Sequence, residues 1–150
     1  MTPIWHPKNT VSLDRINKLN QNTAIGHLGI KITDVGDDFI QGTMPVNQNT
    51  IQPQGLLHGG ASLTLAESLA SLGAALCVDM SKYNIVGHGI NANHLRSTTK
   101  GMVTGIAKPV YLGGKTQVWE IKIYKSETEF VNETLCCVSR MTALRMARRK

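Results

Sequence analysis

Apolar and polar residues alternate with a period of two in the second half of the chain. The clearest example is 116–124, where Trp119, Ile121 and Ile123 alternate with positions that include Glu120 and Lys122, as in a strand with one buried face. Turns that contain glycine or serine separate further stretches of this kind. The pattern predicts four strands in this half, at 84–96, 102–111, 116–124 and 134–144.

The first half begins with a short helix and a hairpin. Ser12 is a good N-cap for a helix. Three apolar residues at helical spacing then give one apolar face: Leu13, Ile16 and Leu19. The polar residues 20–22 end this helix. Two short apolar stretches, 30–33 and 39–44, flank Gly36 and two aspartates, so they predict a hairpin.

The longest apolar stretch, 61–78, has the alanine- and leucine-rich composition of a helix. Glu67 is its sole charged residue, so the pattern predicts a helix that is buried on every side. An ionised carboxylate is costly in such surroundings, which makes Glu67 a candidate functional group. The preceding residues, 52–60, form a turn-rich segment with Pro53 and three glycines.

Two strands, one long helix and four strands form an α+β order. The simplest arrangement is a strongly curved antiparallel sheet wrapped around one long central helix. One small sheet cannot cover such a helix on all sides, so we expect at least a dimer. The length of 150 residues fits a single domain over 1–150, with a basic tail at about 145–150.

The formal net charge of +6 is concentrated at the C-terminus. Arg145, Arg148, Arg149 and Lys150 all lie within 145–150, a run that is typical of a solvated tail. The rest of the chain is close to neutral and has no basic stripe interleaved with aromatic residues. We therefore expect no nucleic-acid partner.

The chain lacks the patterns of a membrane or secreted protein. Its long apolar stretch contains serine, threonine and Glu67, so no membrane segment is expected. The N-terminus lacks the basic-then-apolar pattern of a signal peptide, and three cysteines, two of them adjacent, make a poor disulfide framework. We therefore expect a reduced, cytoplasmic protein. The five histidines lack metal-ligand spacing, so no metal is expected.

A second glycine motif is not expected to bind a nucleotide. Residues 87–92 match a dinucleotide fingerprint by letter only. The asparagine-rich and Ser-Thr-Thr continuation is not typical of a helix, and no acidic residue follows at the required distance. This stretch is therefore predicted as part of a strand.

Three motifs around the central helix carry a family resemblance. They are Gln52-Pro53-x-Gly55, His58-Gly59-Gly60 and Leu65-Ala66-Glu67-x-x-x-Ser71. Together they resemble hotdog-fold acyl-CoA thioesterases, and within these the PaaI-like branch that includes hydroxybenzoyl-CoA and 1,4-dihydroxy-2-naphthoyl-CoA thioesterases. The resemblance covers roughly residues 12–144 and continues, more weakly, through Asn91-Ala92-Asn93-His94-x-Arg96, Leu112-Gly113 and Val118-Trp119-Glu120-Ile121.

The resemblance implies a hotdog fold and hydrolysis of an acyl-CoA, with aromatic or medium acyl groups preferred over long chains. CoA is then part of the substrate, and no separate cofactor is expected. Glu67 would be the catalytic carboxylate and the Gly59 N–H would bind the thioester oxygen, with Gln52 and His58 assisting. The resemblance also implies a homodimer, or a homotetramer built from two dimers, and makes menaquinone biosynthesis one candidate pathway.

The residues themselves suit this chemistry. Thioester hydrolysis needs a base or nucleophile, a donor to the developing oxyanion and a water-poor pocket. Gly59 and Gly60 offer unblocked N–H groups at the positive end of a helix dipole. Glu67 could attack the carbonyl as a nucleophile or activate water as a base, and the sequence leaves both routes open. Further candidate substrate contacts are Gly60, Ser68, Ser71, Asn93, His94 and Arg96.

Helix geometry argues against one chain forming the whole site. From Gly60 to Glu67 a helix rises about 10 Å at 1.5 Å per residue, and the glutamate side chain recovers only about 4 Å of this. A carbonyl placed between Glu67 and Gly59 of the same chain is therefore only marginally feasible. In a twofold dimer, Glu67 of one chain can face the loop of the other, and the resemblance implies the same sharing.

Other interpretations remain open. Glu67 could be a structural carboxylate bonded to a hydroxyl, and His58 could simply satisfy backbone groups of its loop. A hotdog dehydratase acting on a carrier-protein thioester would pair His58 with Glu67, whereas a non-catalytic acyl-CoA-binding hotdog protein would keep only the pocket. The chain departs from the family pattern at Gln54, Ser97-Thr98 and Lys115. These departures weaken the inference, from the family to this chain, of contacts to the acyl group and to the phosphates of CoA.

Overall fold

The computed structural model describes residues 2–148. The helices are α1 (Leu13–Asn20), α2 (Ala24–His27) and α3 (Gly59–Leu76). The strands are β1 (Lys31–Val35), β2 (Ile40–Pro45), β3 (Tyr83–His94), β4 (Met102–Leu112), β5 (Thr116–Tyr124) and β6 (Leu135–Ala147). The predicted helices, hairpin and four later strands are confirmed, with β5 at the predicted bounds. The four-residue α2 is an addition that the hydrophobic pattern does not predict.

The strands form one antiparallel sheet in the order β1-β2-β4-β5-β6-β3. This sheet curves around α3, which confirms the predicted α+β architecture of the hotdog fold. Although β3 is the first strand after α3, it pairs with β6 and lies at one edge of the sheet. The stretch 87–92 lies within β3, so the expectation of a strand there is also confirmed.

A pair of glycines lets the sheet approach the helix closely. Gly42 on β2 and Gly105 on β4 are cross-strand partners. A Cβ added at either position would lie 2.7 Å from a methyl group of Leu69 on α3, a distance that real contacts do not reach. The two missing side chains thus form a hollow that receives Leu69, which is fully buried. This packing fixes the depth of α3 in the sheet.

The edge of β1 is protected by a side chain of α1. Asn17 donates from Nδ2 to the Ile32 carbonyl at 2.8 Å, and its Oδ1 accepts from the Ile32 N–H at 2.9 Å. These two hydrogen bonds replace those of a neighbouring strand, a common way to satisfy the polar groups of an edge. They also fasten α1 beside the sheet, where it forms one wall of the candidate site.

The N-terminal segment caps the end of α3. The His6 N–H and the Asn9 side-chain amide both donate to the Leu76 carbonyl at 2.8 Å, and Asn9 also donates to the Val78 carbonyl. These bonds satisfy carbonyls that a helix C-terminus leaves without partners. The segment therefore holds α3 at the end opposite the candidate site.

One prediction about α3 requires correction. The side that faces the sheet is buried, with Leu65, Ala66 and Leu69 at 0% exposure, but the opposite side is not. Residues on that side remain partly exposed, and they are Leu63, Thr64, Glu67, Ser68, Ser71, Leu72 and Ala75. The helix is therefore not buried on every side in one chain, because a single sheet covers only one side of it.

Candidate active site

A pinned loop delivers the chain to the N-terminus of α3. Thr50 donates from Oγ1 to the Pro45 carbonyl at 2.7 Å, and its own carbonyl accepts from the His58 N–H at 2.8 Å. The Leu57 N–H donates to the Thr98 carbonyl at 2.8 Å. These bonds come from three different parts of the loop. They fix where α3 begins, and so where its unpaired N–H groups point.

His58 is the N-cap of α3. Its Nδ1 accepts a hydrogen bond from the Gly60 N–H at 2.8 Å, so a neutral His58 carries its proton on Nε2. The Gly60 N–H is therefore already used. The Gly59 N–H is not a donor in any hydrogen bond of the described residues. Gly59 is thus the donor that the helix start leaves available for a developing oxyanion.

Gly59 opens onto a cavity of about 300 Å³, here named the Gly59 cavity. His94 stands beside the glycine, since a Cβ built on Gly59 would lie 2.9 Å from Nε2 of His94. Gln52 lines the same cavity and bonds through its side chain to Gln54 in the preceding turn. The fold therefore brings two of the predicted residues, Gln52 and His94, beside the Gly59 N–H donor.

Glu67 lines a different cavity, of about 360 Å³, here named the Glu67 cavity. It lies between α1 and the open side of α3, and its wall is formed by Ile16, Asn20, Ile25, Ile32, Glu67, Ser68, Ser71 and Leu72. Within residues 2–148, Glu67 makes no hydrogen bond or ion pair through its carboxylate. The carboxylate is therefore half-buried, unpaired in this chain and reachable from the cavity.

Gly87 on β3 leaves the space that the Glu67 carboxylate occupies. A Cβ added at Gly87 would be 2.3 Å from Oε1 of Glu67. Any side chain at this position would push the carboxylate away. The sheet register is also irregular here, with a bulge between Gly87 and Gly89. Bulges often occur beside functional sites, where they redirect the backbone.

The predicted site residues therefore fall into two groups. Gln52, Gly59, His94 and Arg96 line the Gly59 cavity, whereas Glu67 lies in the Glu67 cavity with Ser68 and Ser71. Neither cavity of one chain contains both a carboxylate and the free helix N–H. The separation agrees with the distance argument from helix geometry. The carboxylate and the free N–H therefore lie in separate cavities of one chain.

Three other predicted contacts occupy less central positions. Arg96 is exposed at the mouth of the Gly59 cavity and donates from Nη1 to the Leu135 carbonyl at 2.8 Å. Gly60 is exposed, with its N–H bonded to His58. Asn93 points to the opposite face of β3 from His94 and lines neither cavity. Its predicted role in binding therefore has no support from the geometry of one chain.

Sequence reasoning missed the residues that surround Glu67. Gly87 lies in the stretch that matches a nucleotide motif by letter only, and the signal that points to its role is that a glycine inside a predicted strand often marks close backbone approach. Ile16 and Asn20 belong to the predicted apolar helix, but nothing in the sequence shows that α1 packs beside Glu67. Such contacts depend on the arrangement of elements that are distant in the chain.

The cysteine thiols are not candidates for the nucleophile. Cys136 lines the Gly59 cavity but is only 3% exposed, and its Sγ–H lies 3.2 Å from the Ile123 carbonyl. Burial raises the pKa of Cys136, and it raises the pKa of both Cys77 and Cys137 to about 11. All three cysteines are free, and at neutral pH they remain thiols rather than thiolates.

Residues 2–148 contain neither a candidate metal site nor a candidate membrane span. These residues contain no group of three or more histidine, cysteine, aspartate or glutamate side chains arranged to hold a metal ion. Within the same residues, no helix combines the length and apolar character that crossing a bilayer requires. The carboxylate and the helix N-terminus remain the groups with suitable chemistry.

Comparison with known proteins connects this geometry to an activity. The family model of the thioesterase superfamily matches residues 54–132. The 1,4-dihydroxy-2-naphthoyl-CoA hydrolase of Escherichia coli is 43% identical over 139 residues, which cover 93% of this chain and 96% of that protein. The proofreading thioesterase EntH of Cronobacter turicensis is 41% identical over 93% of this chain and 96% of its own length. Among solved structures, a thioesterase from Haemophilus influenzae has a TM-score of 0.87 at 45% identity, covering 96% of this chain and 95% of that chain.

These matches confirm the predicted resemblance and extend over both groups of site residues. The interval matched by the family model contains Gly59, Glu67 and His94, whereas Gln52 lies just before it. The longer matches to the relatives cover nearly the whole chain.

Proposed function

The chain belongs to the thioesterase superfamily, and from this premise we propose that it hydrolyses acyl-CoA thioesters to a free acid and CoA. The observation that carries the proposal is the position of Glu67. Its carboxylate lines a cavity, has no hydrogen-bonding partner among the described residues, and occupies space that Gly87 leaves free. A carboxylate that served only the fold would be expected to have partners.

In the proposed reaction, Glu67 and the Gly59 N–H act on the same thioester carbonyl. The N–H donates to the carbonyl oxygen and stabilises the negative charge that develops there. If Glu67 attacks the carbonyl carbon, the C–S bond breaks to give an anhydride and CoA thiolate, and water then hydrolyses the anhydride to release the acid and regenerate the carboxylate. If Glu67 instead removes a proton from the attacking water, the hydroxide adds to the carbonyl carbon and the C–S bond breaks as the tetrahedral intermediate collapses. In both routes the proton that the water loses ends on the CoA sulfur. Gln52 and His94 lie close to Gly59 and would orient the thioester. CoA leaves as a thiol, and no separate cofactor takes part.

Each active site is proposed to combine two subunits. The Gly59 cavity and the Glu67 cavity of one chain contain complementary halves of the required chemistry. The first two helices cover only part of the exposed side of α3, and the outer edge of β3 pairs with no strand within residues 2–148, so these surfaces are available to a second copy. A homodimer, alone or within a tetramer, would cover these surfaces and assemble two sites.

The acyl group is proposed to be aromatic or of medium length. A relative that is 43% identical is named for hydrolysis of 1,4-dihydroxy-2-naphthoyl-CoA, and this name favours an aromatic acyl group. The Glu67 cavity, at about 360 Å³, is at the small end of the usual range for ligand sites. We expect kcat/KM for benzoyl-type or naphthoyl-type CoA esters to exceed that for palmitoyl-CoA.

Replacement of Glu67 tests the catalytic role. Glu67→Gln keeps the shape of the side chain but removes its charge and basicity, so kcat should fall at least ~10²-fold with the fold intact. The assay is release of free CoA thiol from a panel of acyl-CoA esters, with circular dichroism as the check on folding. Glu120→Gln is the matched control, because Glu120 is a surface acid that pairs with Lys122 and Arg140. Wild-type turnover by Glu67→Gln would disprove the mechanism.

Mixing two inactive variants tests whether the site is shared. Glu67→Ala removes the carboxylate, and Gly59→Pro removes the N–H at a helix position that accepts proline readily. In a mixed dimer, one site carries both defects and the other carries neither. Random reassociation should therefore restore about a quarter of wild-type activity. Absence of recovery, with mixed dimers verified by native mass spectrometry, would place the whole site within one subunit.

A further inference from the structure

We propose that a second chamber beside the Glu67 cavity binds the far end of an acyl group that ends in a carboxylate, and that Arg15 recognises this carboxylate. The inference rests on the proposed hydrolysis of acyl-CoA and specifies the substrate further. It concerns a cavity of about 340 Å³ between α1 and the C-terminal part of α3, here named the distal chamber.

The distal chamber adjoins the Glu67 cavity. Ile16, Asn20 and Leu72 line both spaces, so the two share a wall formed by α1 and α3. Leu72 is partly exposed and stands one helical turn beyond Glu67 along α3. An acyl group that enters beside Glu67 and follows α3 therefore reaches the distal chamber next.

The inner surface of the distal chamber is apolar, and two of its large side chains are poorly covered. Leu72, Leu76 and Met80 line it from α3 and the turn that follows, and Leu19 lines it from α1. Leu19 is 69% exposed and Met80 is 38% exposed, which is unusual for two large apolar side chains that face the same space. Burial of these surfaces by the methylene groups of an acyl chain would be favourable.

The rim of the distal chamber carries an uncompensated positive charge. Two cations line it, Lys8 and Arg15, and none of its lining residues is acidic. Lys8 is already paired with Asp79, with 3.2 Å between Nζ and Oδ2. Arg15 forms no ion pair with any residue in 2–148. A planar guanidinium at the end of an apolar chamber is suited to a carboxylate, which it can bind through two parallel hydrogen bonds.

The distance along α3 sets the length of the acyl group. Leu76 follows Glu67 by nine residues, a rise of about 13 Å at 1.5 Å per residue. An extended chain advances about 1.2 Å per bond, so the rise corresponds to about eleven bonds, and an acyl chain of roughly ten to twelve carbon atoms would span from the carboxylate to the rim. Shorter acyl groups would remain in the Glu67 cavity and would not reach Arg15.

Paired substrates test the recognition of a distal carboxylate. We would measure kcat/KM for straight-chain acyl-CoA esters and for their ω-carboxyl counterparts, at five and at ten carbon atoms. The wild type should prefer the ω-carboxyl ester over its straight-chain counterpart more strongly at ten carbon atoms than at five. Arg15→Gln should lower this preference about two- to fivefold, the range for an exposed ion pair. Lys18→Gln removes a charge from the same helix outside the chamber, so it is the matched control.

A second variant tests occupation of the chamber itself. Met80→Trp would fill part of the distal chamber. The ratio of kcat/KM for the ten-carbon ester to kcat/KM for the five-carbon ester should then fall about tenfold, because the larger side chain takes space that the longer acyl chain needs. Met146→Trp, at an exposed methionine of β6, is the matched control.

The proposal would be overturned if Arg15→Gln and Lys18→Gln changed the preference for the ω-carboxyl ester equally. It would also be overturned if Met80→Trp left the dependence of kcat/KM on acyl length unchanged. If a second copy of the chain fills the chamber instead, Met80→Trp would alter the elution volume in size-exclusion chromatography without changing that profile. Failure to hydrolyse any acyl-CoA would instead refute the proposed function.

Discussion

Replacement of Gly87 by alanine should disable the site without removing any reactive group. The added methyl group would lie 2.3 Å from Oε1 of Glu67. Carbon and oxygen atoms normally approach no closer than about 3.3 Å, so the carboxylate must move by about 1 Å. The partly exposed Glu67 side chain is free to move into its cavity, and the strand itself can stay in place.

The expected cost is catalytic rather than structural. A misplacement of about 1 Å at a reacting group can lower the rate about 10²-fold, so kcat of Gly87→Ala should fall between about 10- and 10²-fold. The melting temperature should change little, because alanine is tolerated in a strand and the displaced group is half-exposed. Gly89→Ala is the matched control, since a Cβ at Gly89 would have nothing within 4 Å. It should retain both activity and stability.

A double-mutant cycle separates displacement of Glu67 from other effects. Glu67→Asp shortens the side chain and withdraws the carboxylate from Gly87. If displacement is the cause, Glu67→Asp should cost less activity in the Gly87→Ala background than in the wild type, giving a clear coupling term. Size-exclusion chromatography would exclude a change in assembly, since β3 is an edge strand. Full activity of Gly87→Ala, or equal losses in Gly87→Ala and Gly89→Ala, would refute the argument.

Three further predictions concern the oxyanion donor, the sheet edge and the acid stability. Gly59→Pro removes the N–H donor and should abolish turnover. Gly59→Ala adds the same Cβ beside His94 but keeps the N–H, so it should retain most of the turnover in steady-state kinetics. Equal losses in the two variants would mean that crowding of His94 matters more than the donor. Asn17→Ala removes two hydrogen bonds from Ile32 and should lower the free energy of unfolding by about 1–2 kcal/mol in urea titrations; an unchanged midpoint would show that water replaces both bonds. Hydrogen bonds from Ser81, together with Lys8, lower the pKa of Asp79 to about 2. The ionised Asp79 therefore stabilises the folded state above about pH 4, and this stabilisation is lost as the pH falls toward about 2. The difference in unfolding free energy between the wild type and Asp79→Asn should shrink over that interval. A constant difference would contradict the assignment.

The elements of the fold could be predicted because their signals are local. In β5 the alternation that places Trp119, Ile121 and Ile123 on one face is set by the pleat alone, and all three are buried. The start of α1 follows from the cap at Ser12. The order of the strands could not be predicted, because it depends on pairings such as that of β3 with β6, which join distant parts of the chain. The role of the Gly42 and Gly105 pair is hidden for the same reason.

The exposure of α3 was misjudged for a different reason. Its outward side consists largely of small residues, such as Thr64, Ser68 and Ala75, which differ little in size and polarity from the small residues of its inward side. A helix of this composition has almost no amphipathic pattern, so hydropathy cannot show which side is covered. The lone charge was the better guide, because Glu67 lies on the open side next to a cavity.

The candidate site depends as much on missing side chains as on reactive ones. The Gly59 N–H makes no hydrogen bond within residues 2–148, and Gly87 leaves space for the carboxylate of Glu67. Around them the fold is rigid, since Leu69 is locked between two glycines of the sheet and the end of α3 is capped by the N-terminal segment. Within this fold the bare backbone at Gly87 lets the carboxylate lie close to the sheet, so the reactive group is positioned by a side chain that is absent.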